Sequence, residues 1–171
     1  MDIVQFIAVG LLLGGLVLLS IIDQLTETLP DRLMLPLAVL GFVVAVVSPL
    51  GSLTSWDFIA GGLVGFGGGY TLQKIFVLWR GADALGFGDV KLAGVAGLWV
   101  GLDALPLFIL VSSWLFVAVS VVVCVIRSRR NLPPLVGLPM GPYLSLAIGI
   151  LAVARFLGHD VGLGLLVRLA A

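Results

Sequence analysis

Charge is what this sequence has least of. Only 11% of its 171 residues are Asp, Glu, Lys or Arg, against 61% hydrophobic, whereas a soluble domain carries about 25% charged residues. That scarcity excludes an ordinary soluble globule and points to an integral membrane protein. Acidic and basic residues balance at nine each, so no excess of positive charge speaks for a nucleic-acid partner. Cysteine occurs once, at Cys124 in an apolar run, which excludes an internal disulfide and a CxxC zinc site. Histidine also occurs once, at His159, without a metal-ligand set around it, so neither a metal nor a cofactor is expected. Alternating strand-like patterning is missing too, which argues against a β-barrel. No Lys or Arg precedes the first apolar stretch, Ile3 to Ile22, and that stretch is too long for the core of a cleavable signal. It spans about 30 Å as a helix, the thickness of a bilayer core, and reads as a transmembrane helix that stays.

What the chain does have is apolar length. Six apolar spans fall at about 3–22, 33–50, 57–79, 89–102, 104–126 and 141–157. The fourth is short for a full crossing. A further apolar stretch, 161–171, is too short to span and is expected at the interface. Main-chain groups in lipid must find their partners internally, so the expected fold is all-α: a polytopic membrane bundle of about six transmembrane helices. No linker, repeat or second domain is visible, and residues 1–171 read as one integral-membrane domain.

The basic residues orient it. With the N-terminus outside, the first, third and fifth loops and their flanks hold Arg32, Lys74, Arg80, Lys91, Arg127, Arg129 and Arg130, seven of the nine. The positive-inside rule makes those loops cytoplasmic. Glycine supplies packing: Gly61, Gly65 and Gly69 recur every four residues in "AGGLVGFGGGY", the small-residue face that lets helix backbones approach. The third span is expected tight against a neighbour.

Two acids stand apart from the rest. Asp23 closes the first span in "LLSIIDQL", and Asp89 opens the fourth in "GFGDVKL". Two crossings separate them, and an even number returns the chain to the side it left, so both belong at the cytoplasmic boundary. Singly, Asp23 reads as a helix-end residue and Asp89 as an N-cap of the fourth span, accepting bonds from free N–H groups. Together, in a chain so poor in charge, they read as a site. Two neighbouring carboxylates cannot both ionise easily. The ionised one can then take a proton from water while its partner protonates the developing oxygen, which is aspartic-protease chemistry. Gly86 and Gly88 fit that reading, because without Cβ atoms they free the backbone and let a substrate strand come close.

"GFGDVKL" (86–92) resembles the GxGD signature of the type IV prepilin peptidases, members of the GxGD intramembrane aspartic proteases. "IDQLTETLPDRLMLPL" (22–37) resembles that family's Ile-Asp followed eight residues later by Pro-Asp, here Asp23 and then Asp31 after Pro30. "LPMGPYL" (138–144) resembles the run that opens the family's last long helix. The resemblance implies an inner-membrane endopeptidase. It would remove the leader of type IV prepilins or type II secretion pseudopilins at the cytoplasmic face, with Asp23 and Asp89 as catalytic dyad.

The surrounding motif residues carry lesser expectations. Asp31 is expected to cap the second span. Lys91 either biases the dyad or snorkels at the interface. Pro142 and Tyr143 are expected to start the last helix. Longer family members carry a cysteine-bearing N-terminal domain and N-methylate the product. This chain has one cysteine and resembles the short peptidase-only forms, so that domain is expected absent and cleavage without methylation is expected. Two other classes stay open from the residues: a small transporter or proton channel using Asp23 and Asp89, and a catalytically silent pilus or secretion assembly subunit. The partners expected are the bilayer and the prepilin or pseudopilin, with the oligomeric state left open.

Overall fold

A helix satisfies its own N–H and C=O groups within one segment, the solution lipid demands. The computed structural model describes residues 3–47, 53–80, 86–133, 138–159 and 161–162. Six α-helices follow one another: α1 (Ile3–Thr26), α2 (Asp31–Val47), α3 (Ser55–Arg80), α4 (Phe87–Val100), α5 (Leu105–Arg129) and α6 (Gly141–Phe156). A 3-10 turn, Leu102–Ala104, joins α4 to α5. The described residues contain no strand. Each expected span corresponds to one helix. All but the first two residues of the C-terminal stretch 161–171 lie outside the described residues.

The largest shift at an end matters for the site. α1 runs on to Thr26, past the expected end at residue 22. The Thr26 hydroxyl donates to the Ile22 carbonyl at 2.8 Å, and the Glu27 N–H still reaches the Asp23 carbonyl at 2.8 Å. The helix stops at Glu27, whose φ of 52° is left-handed. Asp23 therefore lies inside the last turn.

α4 is the centre of the bundle. It is the shortest helix, 14 residues, and it buries Val90, Leu92, Val95, Ala96, Trp99 and Val100. Such a helix, apolar all round, belongs inside a protein. α3 lies against it through glycine. A Cβ on Gly61 would come 2.6 Å from the Gly97 carbonyl oxygen, and one on Gly69 would come 3.4 Å from Val90. Gly65 faces Ala93 in the same way. The neighbour expected from the four-residue glycine repeat is thus α4. On its other side, Gly41 of α2 leaves room for the Trp99 indole, whose buried N–H donates to the Leu37 carbonyl at 3.0 Å.

The outer faces are apolar. Ile7, Leu11, Leu63, Trp114 and Val121 all point outward from the bundle, a surface a water-soluble monomer rarely presents. Two segments, Ile3–Thr26 and Leu102–Arg129, have both the length and the hydropathy to cross a membrane. At the end of α6 remote from Asp23, the buried Arg155 guanidinium donates to Asp103 at 2.8 Å and lies over the Phe58 ring. That pair fastens α6 to the turn between α4 and α5.

Candidate active site

The last turn of α1 and the first turns of α4 and α6 meet at one end of the bundle. Asp23 is only 5% exposed there. Its partner is the first helical residue of α6: the Gly141 N–H donates to Asp23 Oδ2 at 3.1 Å. The local sequence of α6 explains why. A helix begins with N–H groups that lack partners. In this one Pro142 has no N–H, while those of Tyr143 and Leu144 both bond the Met140 carbonyl, at 3.1 and 3.2 Å. The Gly141 N–H remains, and it points at a carboxylate drawn to the positive end of the helix. Glycine is required by space: a Cβ at position 141 would meet the Asp23 carboxylate.

Asp89 is the third residue of α4 and is half-buried. It is not the N-cap. Gly86 holds that position with φ −60° and ψ 138° and no side-chain cap, and its carbonyl accepts the N–H groups of Asp89 and Val90 at 3.0 and 3.3 Å. The flanking glycines also act differently from expectation. Gly86 has an ordinary negative φ, and Gly88 sits within α4, so backbone freedom explains neither. Both make room. A Cβ on Gly86 would lie 3.3 Å from Asp89 Oδ2, so the carboxylate folds back over the glycine. A Cβ on Gly88 would lie 2.9 Å from the Leu29 Cβ. Leu29, between α1 and α2, thus lies close against the start of α4, beside the end of α1 that carries Asp23.

Asp23 and Asp89 are within electrostatic reach of each other. Met140, next to the residue that binds Asp23, lines the same cavity as Asp89. The other motif residues lie around this pair. Pro30 holds the capping position of α2, its carbonyl accepting the Leu33 and Met34 N–H groups at 3.1 and 3.3 Å. Asp31, one residue further, is therefore not the cap. It forms an ion pair with Lys91, whose ammonium also lies 4.7 Å from the centre of the Phe87 ring. That bridge ties α2 to α4. Pro142 and Tyr143 open α6, and the Tyr143 ring meets Phe116 of α5 edge-on at 5.6 Å. Among the described residues no group of three His, Cys, Asp or Glu side chains is placed to hold a metal.

The type IV leader peptidase family matches residues 10–122. The chain belongs to that family.

Leader peptidase family members are polytopic membrane proteins, consistent with the apolar outer faces of these six helices. Relatives named prepilin leader peptidase/N-methyltransferase include one from Stutzerimonas stutzeri and one from Pseudomonas aeruginosa. Each is 35% identical over 140 residues, which cover 82% of this chain and 47% of the relative. One from Aeromonas hydrophila is 33% identical over 141 residues, again 82% and 47%. The chain spans about half the length of the curated relatives it matches. No solved structure matches it significantly. Sequence reasoning passed over Gly141 and Leu29. The signal for Gly141 was in "LPMGPYL" itself, a glycine just before the proline of a helix start.

Proposed function

We propose that this chain is a membrane aspartic endopeptidase that removes the leader peptide of type IV prepilins or type II secretion pseudopilins. Asp23 and Asp89 are its catalytic pair. The observation that carries the reading is their placement: two acids from α1 and α4, remote in sequence, at one end of a largely apolar bundle, Asp23 bonded by the Gly141 N–H and Asp89 lining a cavity with Met140, the residue before Gly141. Asp23 Oδ2 takes the Gly141 N–H, and the carboxylate keeps lone pairs with which to hold a water. One carboxylate of the pair takes a proton from that water as its oxygen attacks the carbonyl carbon. The protonated partner gives its proton to the carbonyl oxygen, forming a gem-diol. The carboxyl that took the water's proton then gives it to the amide nitrogen, while its partner takes a proton from a gem-diol hydroxyl. The C–N bond breaks to an acid and an amine, and the pair returns to its starting state.

The site belongs at the cytoplasmic face of the inner membrane, with six crossings and the N-terminus outside. Supporting this, Lys74 near the end of α3, Lys91 near the start of α4, and Arg127 and Arg129 in the last turn of α5 gather at the Asp23 end. Trp56 and Trp79 are both well exposed near opposite ends of α3, about 35 Å apart at helical rise, the separation of two membrane interfaces. We read the six helices as one catalytic unit, since α4 packs against α2, α3, α5 and α6 in a shared core.

Asp→Asn replacement at either position keeps shape and hydrogen bonding but removes proton exchange. Co-expressed with a prepilin, Asp23→Asn and Asp89→Asn should each abolish leader removal on a gel, and the double variant should be no worse. Cleavage at the wild-type rate by well-expressed Asp89→Asn would remove that carboxylate from the chemistry.

A further inference from the structure

The two aspartates sit on helices that hardly touch. α1 packs on α6 and α2, and α4 packs on α3, α2, α6 and α5, with little direct contact between α1 and α4. Their spacing is therefore set by intermediaries. One is Gly141 of α6, which binds Asp23. The other is the connection from α1 to α2, the four residues 27–30.

That connection is a built turn. The Thr26 hydroxyl donates to the Ile22 carbonyl at 2.8 Å and lies 2.9 Å from the Thr28 hydroxyl, which ties the turn to the end of α1 that carries Asp23. Glu27 reverses the chain at a left-handed φ of 52°, and Pro30 leads into α2. Between them Leu29 is half-buried and packs onto the core. Its side chain lies along Gly88. A Cβ there would stand 2.9 Å from Leu29 Cβ, 3.0 Å from Cδ1 and 3.3 Å from Cγ. Asp31 follows and pairs with Lys91. Gly88 and Lys91 are three residues apart and so share a face of α4. Asp89 lies between them in the sequence, held on either side by the same short stretch of chain.

We infer that Leu29 is a positioning residue, the spacer that fixes the end of α1, and with it Asp23, at its distance from Asp89. The inference rests on the endopeptidase reading of that pair. Of the two contacts with α4, the packed one sets the distance. The Asp31–Lys91 pair joins two flexible side chains, one of them well exposed, and both can follow a shift. Leu29 meets helix backbone at Gly88, which has no side chain to yield. Shortening Leu29 lets the turn settle towards α4, and enlarging position 88 drives it away. Either change moves Asp23 relative to Asp89, and a misplacement of about 1 Å costs on the order of 10²-fold in rate. A spacer acts on the chemical step, so the loss falls on kcat and spares KM.

The test uses purified protein in detergent and a full-length prepilin that the wild-type protein cuts. Leu29→Ala should lower kcat at least tenfold and keep KM within twofold. Leu29→Met, which preserves Cβ, Cγ and reach, should stay within threefold on both. Gly88→Ala should also lower kcat at least tenfold. Adding Leu29→Gly to it removes the three atoms nearest the new methyl group and should restore kcat at least fivefold, the mark of direct coupling between the two positions. Val100→Ala is the control for stability, because Val100 is fully buried at the far end of the same helix. It should lower Tm and leave kcat within twofold. Gly88→Ala and its double variant decide the matter even where Leu29→Ala fails to insert. A wild-type kcat for Leu29→Ala, no recovery in the double variant, or an equal kcat loss in Val100→Ala would overturn the spacer and leave the dyad standing. Failure of the endopeptidase reading would look different, as prepilin uncut by the wild-type protein or cut undiminished by Asp89→Asn.

Discussion

At the scale of single residues, the site is organised by what glycine leaves out. Gly141 gives Asp23 a hydrogen bond and vacates the space its carboxylate occupies. Gly141→Ala would set a methyl group against that carboxylate, and the carboxylate would have to move. Displacing a reacting group by about 1 Å costs on the order of 10²-fold in rate. Gly141→Ala should therefore lose about that factor in kcat for leader cleavage. Gly86→Ala, whose Cβ would stand 3.3 Å from Asp89 Oδ2, asks for only a few tenths of an ångström and should lose less. A wild-type rate for Gly141→Ala would mean that Asp23 does not work from the position described. Asp31 belongs to a different category. Its carboxylate is 71% exposed and pairs with Lys91. Exposed pairs contribute about 0–1 kcal/mol, so Asp31→Asn should keep most activity and shift the melting temperature by only a few degrees. Loss of cleavage in a folded Asp31→Asn protein would place that acid in the mechanism.

At the scale of helices, α4 carries the fold and the proposed chemistry at once. Its first turn presents Asp89, and further along Gly97 faces Gly61 so closely that a side chain on either would enter the other's backbone. Overpacking typically costs about 1–3 kcal/mol, occasionally more. Backbone against backbone has little room to relax, so Gly97→Val should fall at or above the top of that range. Thermal unfolding in detergent should show a clear drop in Tm, and an unchanged Tm would refute the close α3–α4 contact. These helices were legible in the sequence because lipid makes apolar runs and helices nearly synonymous. The glycine repeat on α3 likewise announced a tight neighbour, though not which one. The details at the site were harder to read. Hydropathy ends the first span at Ile22, but the helix follows its hydrogen bonds to Thr26 and carries Asp23 inside the last turn. Asp89 looked like an N-cap because Asp favours that position, and only the backbone reveals that Gly86 occupies it. Spacing also could not reveal that Gly86 and Gly88 serve as room for Asp89 and Leu29, since that depends on contacts made across the bundle.

At the scale of the whole molecule, the bundle has two unlike ends. One gathers Asp23, Asp89 and the Asp31–Lys91 bridge, where α1 ends and α2, α4 and α6 begin. The other holds the buried Arg155–Asp103 pair, where the 3-10 turn follows α4 and α6 draws to its close. If the helices cross the membrane, these ends lie on opposite sides. The connection after α1, containing Glu27, and the connection after α5, containing Asn131, share the first end, and Asp103 marks the second. Reporter fusions or cysteine labelling should accordingly place Glu27 and Asn131 in the cytoplasm and Asp103 outside. The side is set by the basic residues near the first end, since positive charge is retained in the cytoplasm. The two parts of this prediction fail separately. Labelling Glu27 and Asn131 outside with Asp103 inside would preserve the fold and reverse the orientation, moving the proposed cleavage to the outer face. Labelling Glu27 and Asn131 on opposite sides would contradict the fold itself. α6 starts directly after the second connection and gives Asp23 its Gly141 hydrogen bond, a contact that cannot form across a bilayer.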